Sequence, residues 1–137
     1  MYKHPYLRAY LAGIAIPTAF LLAIMTAYTI DRYVYDMPVP IERVIVFPMA
    51  AGPNAWGLWN LIFVAFLQKR HIPLGLFGGA LPLLLVPGGY LVARLLNFTI
   101  PPVAFQVVPI GLPIALIVYY LVWKYFVGFL NAELGIA

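Results

Sequence analysis

The sequence predicts an all-α membrane protein, a four-transmembrane-helix bundle with proline-kinked helices. Hydrophobic residues make up 65% of the 137 residues and charged residues only 9%, and the mean hydropathy is +0.99. A soluble domain carries about a quarter charged residues, so the composition excludes that class. Four apolar stretches are long enough to cross a bilayer, which takes roughly 20 helical residues.

The first two spans are bounded by charged residues and need no further assumption. The first covers residues 9–30, between Arg8 and Asp31, and the second covers residues 44–67, after Arg43. Charged side chains are costly in the hydrocarbon core, so they mark where each span ends. We therefore expect two long helices joined by a polar loop.

The third and fourth spans require a choice of boundary. The third covers residues 72–94, but the uncharged stretch after Arg94 is too long for a single span. A Pro101-Pro102 pair interrupts it, so we begin the fourth span at residue 104 and end it at 127. Lys124 then lies inside the span and is expected to snorkel toward the interface. Residues 1–137 form a single predicted domain.

The distribution of basic residues predicts the orientation. Four spans place both termini on one side of the membrane, and that side has five basic residues against three on the other. They are Lys3, Arg8, Lys69, Arg70 and Lys124 against Arg32, Arg43 and Arg94. The positive-inside rule then places both termini in the cytoplasm.

Seven prolines lie inside the predicted spans, and each removes a backbone donor. They are Pro17, Pro48, Pro53, Pro82, Pro87, Pro109 and Pro113. We expect several kinked helices with locally repaired hydrogen bonding. Kinked helices occur in transporters, but membrane helices tolerate proline in general, so we favour a structural role for the prolines.

Small residues recur at four-residue spacing and predict close helix contacts. The first span carries Ala15, Ala19, Ala23 and Ala27, with shorter versions at Gly75 and Gly79 and at Gly111 and Ala115. Such ridges let backbones approach closely in lipid. We favour packing of the alanine ridge inside one bundle over a homo-oligomer face, and the oligomeric state stays open.

The second span carries the main candidate ligand site, formed by Asn54, Trp56, Trp59 and Asn60. Tryptophan is usually found at the membrane interface, so its place near mid-span needs a reason. Residues 52–54, Gly-Pro-Asn, predict a stop and restart of the helix, with Asn54 capping a half-helix that binds a polar ligand. The alternative, which we favour slightly, is that the amides bond freed carbonyls of kinked neighbours while the indoles fill gaps.

A second candidate site is a cluster at the outer ends of the spans, formed by Asp31, Arg32, Glu42, Arg43, Tyr90 and Arg94. Tyr90 and Arg94 are one helical turn apart on the same face. Arg94 is suited to a lipid phosphate or a substrate carboxylate, which a guanidinium binds bidentately. The alternative is that these residues pair with neighbouring charges and anchor the bundle at the interface, and we favour that role.

The residue types restrict the function. The chain has no cysteine, and no Asp, Glu or His lies well inside a span, which argues against an enzyme. No metal site, cofactor or nucleic-acid partner is expected. The leading hypothesis is a membrane protein that binds a lipid or apolar ligand or packs into a larger assembly with its own copies or other membrane subunits. The alternative is a small oligomeric transporter or channel-like protein that uses a broken second helix.

Overall fold

Four long helices make up most of the chain. A computed structural model describes residues 3–136, except for the side chain of Pro48. The helices, numbered first to fourth, are Pro5–Tyr33, Ile41–Arg70, Leu74–Leu95 and Pro102–Glu133. Each is long and apolar enough to cross a membrane. This confirms the prediction of an all-helical chain with four candidate spans, and it indicates a multi-pass membrane protein.

Each helix begins or ends close to the predicted position, for identifiable chemical reasons. The first and fourth helices begin at Pro5 and Pro102, where the missing N–H of proline costs no helical hydrogen bond. The third begins at Leu74, after Pro73 in extended conformation. The fourth runs on to Glu133, beyond the predicted end at residue 127.

Four non-glycine residues outside the helices adopt positive φ, and all are of types that tolerate it. They are His4, Asp36, His71 and Asn97. His71 follows the last turn of the second helix and opens the short connection to the third. Asn, Asp and His are the non-glycine residues found most often in this conformation, so the chain reverses direction without glycine.

The second helix is interrupted at Phe47, which has φ −150° and ψ 123°. The next residue is Pro48, and a proline disfavours helical geometry in the residue before it. Residues 52–54, predicted to stop and restart the helix, lie instead within the continuous α-helical segment Ala51–Ile62. The predicted position was therefore wrong: the helix is interrupted next to Pro48, five residues before the predicted site at Pro53.

Other prolines lie within helical backbone. The first helix continues through Pro17, the third through Pro87 and the fourth through Pro109 and Pro113. Pro82 is the first residue of the segment Pro82–Leu95, which follows a turn at residues 80–81. Kinking of the helices at these prolines stays a prediction.

The first and second helices pack closely where two glycines face each other. A Cβ atom at Gly13 would lie 2.6 Å from the Trp56 carbonyl oxygen and 2.8 Å from the Gly57 Cα. Backbones can approach this closely only without side chains between them. The alanine ridge plays no part, because Ala15, Ala19, Ala23 and Ala27 are all exposed. The prediction that the ridge packs inside the bundle was wrong.

The third and fourth helices also meet through glycine. A Cβ at Gly78 would lie 1.9 Å from Cγ of Trp123, and Gly75 and Gly79 face Tyr120. Trp123 belongs to a π-helical turn, Trp123–Val127, and is fully buried with Val127. No atom of another described helix lies within 4 Å of the Cβ position of Gly111, where the nearest atom belongs to Val107.

Both described chain ends lie at the same end of the bundle. Asn60 bonds Ala9 near the N-terminus and Asn131 near the C-terminus, and Gln68 Nε2 donates to the Ile136 carbonyl at 2.8 Å. The opposite end, formed by residues 34–40 and 96–101, is called the distal end below. The first helix makes its main contacts with the fourth helix from Trp123 onward.

Candidate functional site

All four helices line a groove of about 710 Å³ that is half open to the surroundings. It is called the central groove, and the residues that line it are Ile16, Pro17, Phe20, Leu21, Phe47, Gly52, Trp56, Pro82, Leu85, Val86, Gly89, Ala115, Val118, Tyr119 and Val122. These positions fall in the middle of the first, third and fourth helices and in the distal half of the second. The groove therefore lies at membrane depth if the helices span a bilayer.

The interruption of the second helix shapes one wall of the central groove. Phe47 lines it, and a Cβ at Gly89 would lie 2.9 Å from the Phe47 ring. At the point where its backbone is extended, Phe47 therefore packs its ring directly against the third helix. Any larger residue at Gly89 would push this ring away.

Trp56 links the groove to the hydrophobic core. Its side chain is only 5% exposed, and its ring lies 4.9 Å from that of Tyr119 and 5.2 Å from that of Trp123. These tilted aromatic pairs join the second and fourth helices. Packing between helices therefore accounts for this tryptophan near mid-span.

The lining of the central groove is almost wholly apolar. Among the lining residues only Trp56 and Tyr119 carry a polar side-chain atom, and none is charged. Such a surface binds through dispersion and exclusion of water, and offers little to orient a polar substrate. It is suited to a hydrocarbon chain.

Asn60, a predicted site residue, is sealed in the core at 0% exposure. Its Nδ2 donates to the Ala9 carbonyl at 2.7 Å and to Asn131 Oδ1 at 2.8 Å, and Asn131 Nδ2 donates back at 3.1 Å. The pair joins the first, second and fourth helices. The Asn60 side chain is therefore committed to helix contacts and does not line the groove.

Asn54 lies apart from Asn60 and is exposed. The Tyr10 hydroxyl donates to its Oδ1, and its Nδ2 donates to the Ala50 carbonyl at 2.7 Å. It caps no half-helix, because the segment that contains it begins at Ala51 without a side-chain cap. Instead it fastens the second helix to the first.

Trp59 joins the second and third helices. Its indole N–H donates to the Phe77 carbonyl at 2.8 Å, and its ring stacks on that of Phe77 at 4.4 Å with a 6° angle between planes. Of the four candidates in the second helix, only Trp56 lines the central groove. The structure does not bring the others together as one site.

The charged residues at the distal end divide into separate contacts. Arg32 pairs with Glu42 at 2.7 Å, while the Arg43 guanidinium lies 5.7 Å from the centre of the Phe98 ring. Arg94 borders a small polar recess together with Asn97, Phe98 and Thr99. Both Arg43 and Arg94 therefore lie beside Phe98.

Tyr90 shares a helix with Arg94 but has its own contact. Its ring meets the edge of the Phe105 ring at a centroid distance of 6.2 Å, and it is 46% exposed. It joins the third and fourth helices near the distal end and borders neither the recess nor the groove.

Several residues that define the site escaped sequence reasoning. Phe47, Tyr119 and Trp123 are apolar or aromatic residues in apolar spans, and only their helix register shows that they meet. Asn131 lies beyond the predicted end of the fourth span at residue 127. The sequence feature that could have indicated its role is that it is a second asparagine expected at the same end of the bundle as Asn60. Within residues 3–136 no three His, Asp or Glu side chains are grouped as metal ligands would be.

Comparison of the chain with protein-family models, with curated proteins and with solved structures finds no match. Arguments about function therefore depend on the groove and the residues around it.

Proposed function

We propose that this protein is an integral membrane protein that binds a membrane lipid, with an acyl chain held in the central groove. The observation that carries the proposal is the groove itself, apolar and lined by all four helices. Its volume of about 710 Å³ falls in the range of small-molecule sites, roughly 300–1,000 Å³. Within a bilayer, lipid chains are the most abundant molecules that match such a surface.

An empty groove of this size would be unfavourable. Its walls would forfeit dispersion contacts on one side, and the half-open rim gives lipid chains direct access. Trp56 is held from behind by Trp123, so one wall is preformed. A preformed wall lowers the entropic cost of ordering the site around a ligand.

Native mass spectrometry of the protein extracted gently with its own lipids tests the proposal. Ala115→Trp fills the groove from the fourth helix, and Ile114→Trp is the matched control, because Ile114 is 57% exposed and does not line the groove. We expect one or more lipids retained by the wild type and the control, and at least a fivefold loss in Ala115→Trp. Equal retention in all three proteins would refute lipid binding in this groove.

A second candidate function is a subunit of a larger membrane assembly, and the outer surface favours it. The segment Pro102–Val122 buries no residue, and the alanine ridge of the first helix is exposed. Exposed small-residue ridges are typical of helix contacts in membranes. The same mass spectra test this function, because an assembly would be detected as a homo-oligomer or as a complex with a different, co-purifying protein.

The transporter alternative has less support. A transport path along the second helix would need Asn54, Trp56 and Asn60 to face a central polar channel, but Asn60 is enclosed by its hydrogen-bond partners. Flux that is lost in a folded Asn54→Leu and Asn60→Leu double variant would favour transport, and unchanged flux would exclude these residues from the path.

A further inference from the structure

We propose that the bound lipid is an anionic phospholipid, with its phosphate between Arg43 and Arg94 at the distal end and an acyl chain in the central groove. This inference depends on the proposed function, since it names the class of lipid that the groove would hold. Three observations support it: the position of both arginines beside Phe98, the absence of an acidic partner for either of them within residues 3–136, and their closeness along the chain to the groove wall.

Phe98 is a neighbour of both arginines. The Arg43 guanidinium lies 5.7 Å from the centre of its ring, and Arg94 borders the recess that Phe98 also lines. Arg43 comes from the second helix and Arg94 from the third, so the tertiary fold assembles the pair. Asn97 and Thr99 add polar groups to the recess.

Ion pairing at the distal end leaves the guanidinium groups of Arg43 and Arg94 able to bind an anion. The distal end carries three arginines and three acids, Asp31, Asp36 and Glu42, so net charge does not explain anion binding there. In the described part of the chain the ion pair at this end is that of Arg32 with Glu42. Arg43 and Arg94 have no carboxylate partner among residues 3–136. A phosphate, which guanidinium groups bind bidentately, would supply one.

Both arginines lie close in sequence to residues of the groove wall. Gly89 lines the groove, and Arg94 follows it by five residues on the same helical segment, which separates their Cα atoms by about 7.5 Å along the axis. On the second helix, Arg43 precedes the lining residue Phe47 by four residues. Along the helix axis this distance is short enough for one phospholipid, which carries its phosphate only a few bonds from its chains.

The test compares two lipids with identical chains, phosphatidylglycerol and phosphatidylcholine, titrated into delipidated full-length protein and followed by native mass spectrometry. Wild type should prefer phosphatidylglycerol about tenfold, which corresponds to about 1.4 kcal/mol. Arg43→Gln with Arg94→Gln should abolish the preference. It should weaken phosphatidylglycerol binding more than phosphatidylcholine binding, because the choline cation of phosphatidylcholine already offsets the charge of its phosphate. Arg32→Gln is the matched control, because Arg32 already pairs with Glu42, and it should retain the preference.

The outcomes separate this inference from the proposed function. Equal affinity of wild type for the two lipids, or an Arg32→Gln effect equal to that of the double variant, would overturn the inference and leave lipid binding intact. No binding of either lipid would overturn both. Inorganic phosphate in competition should not displace phosphatidylglycerol at millimolar concentration, and displacement would indicate a free-anion site instead of a lipid headgroup site.

Discussion

Asn60 and Asn131 donate to each other's side-chain oxygens across 71 residues of sequence, at 2.8 and 3.1 Å, inside an otherwise apolar core. Both are almost completely buried, at 0% and 3% exposure. Burying an amide without hydrogen-bond partners costs free energy, and here each amide supplies the partners that the other needs. Because Asn60 also donates to Ala9, one pair aligns three helices.

The first prediction concerns this pair. Asn60→Leu, which keeps the number and branching of the side-chain heavy atoms, should lower the free energy of unfolding by about 1–3 kcal/mol, because Asn131 is left buried without its partner. The double variant with Asn131→Leu should recover part of the loss, since no unpaired amide remains. Equilibrium unfolding in mixed micelles measures both, and additive losses would show that the two residues act independently.

The second prediction uses two glycines of the first and third helices. Gly13→Ala should destabilise the protein by about 1–3 kcal/mol, because its Cβ would lie 2.6 Å from the Trp56 carbonyl oxygen and backbone atoms cannot yield easily. Gly88→Ala is the control, with nothing within 4 Å of its Cβ position. It should be neutral or stabilising by up to about 1 kcal/mol, from helix propensity. Thermal unfolding measures both variants. Equal unfolding temperatures for Gly13→Ala and Gly88→Ala would contradict the close contact between the first and second helices.

The third prediction separates the two contacts of Trp59. Trp59→Phe keeps an aromatic ring above Phe77 but removes the indole N–H that bonds the Phe77 carbonyl at 2.8 Å. We expect a loss of about 1 kcal/mol. Trp59→Leu also removes the stack and should cost about 0.5–1.5 kcal/mol more. If the two variants unfold at the same denaturant concentration, the ring contact contributes nothing.

Sequence reasoning predicted the helices well because hydrocarbon thickness and charge placement determine them locally. The second predicted span, residues 44–67, lies within Ile41–Arg70. The charged residues on either side of it, Arg43 and Lys69, lie in the first and last turns of that helix. The same reasoning misplaced the interruption, since Pro48 and Pro53 look equivalent in sequence. The structure shows helical backbone around Pro53 and extended backbone at Phe47.

The site could not be predicted because it depends on which helix faces meet. In lipid, burial of apolar residues does not distinguish an inner from an outer face, so Ala15 and Ala19 on the outside look the same in sequence as Ala9 and Ala12 inside. The central groove is a gap between four helices, and no local pattern reports a gap. Trp56 was the one groove residue that its type and depth singled out.

The last prediction concerns the contact that supports the groove from behind. Trp123 is fully buried between Gly78 and Trp56, and a Cβ at Gly78 would lie 1.9 Å from its ring, so the indole must move. Gly78→Ala should therefore destabilise the protein by about 3 kcal/mol, the upper range for overpacking, and reduce lipid retention because Trp56 loses its support. Gly75→Ala is the matched control on the same helical segment: its closest contacts are 3.0 Å, to Lys124 Cβ and to the Tyr120 ring, so it should cost less and leave retention unchanged. Unfolding and native mass spectrometry measure the two effects together, and a destabilised Gly78→Ala protein with full lipid retention would mean that Trp56 holds its position without Trp123.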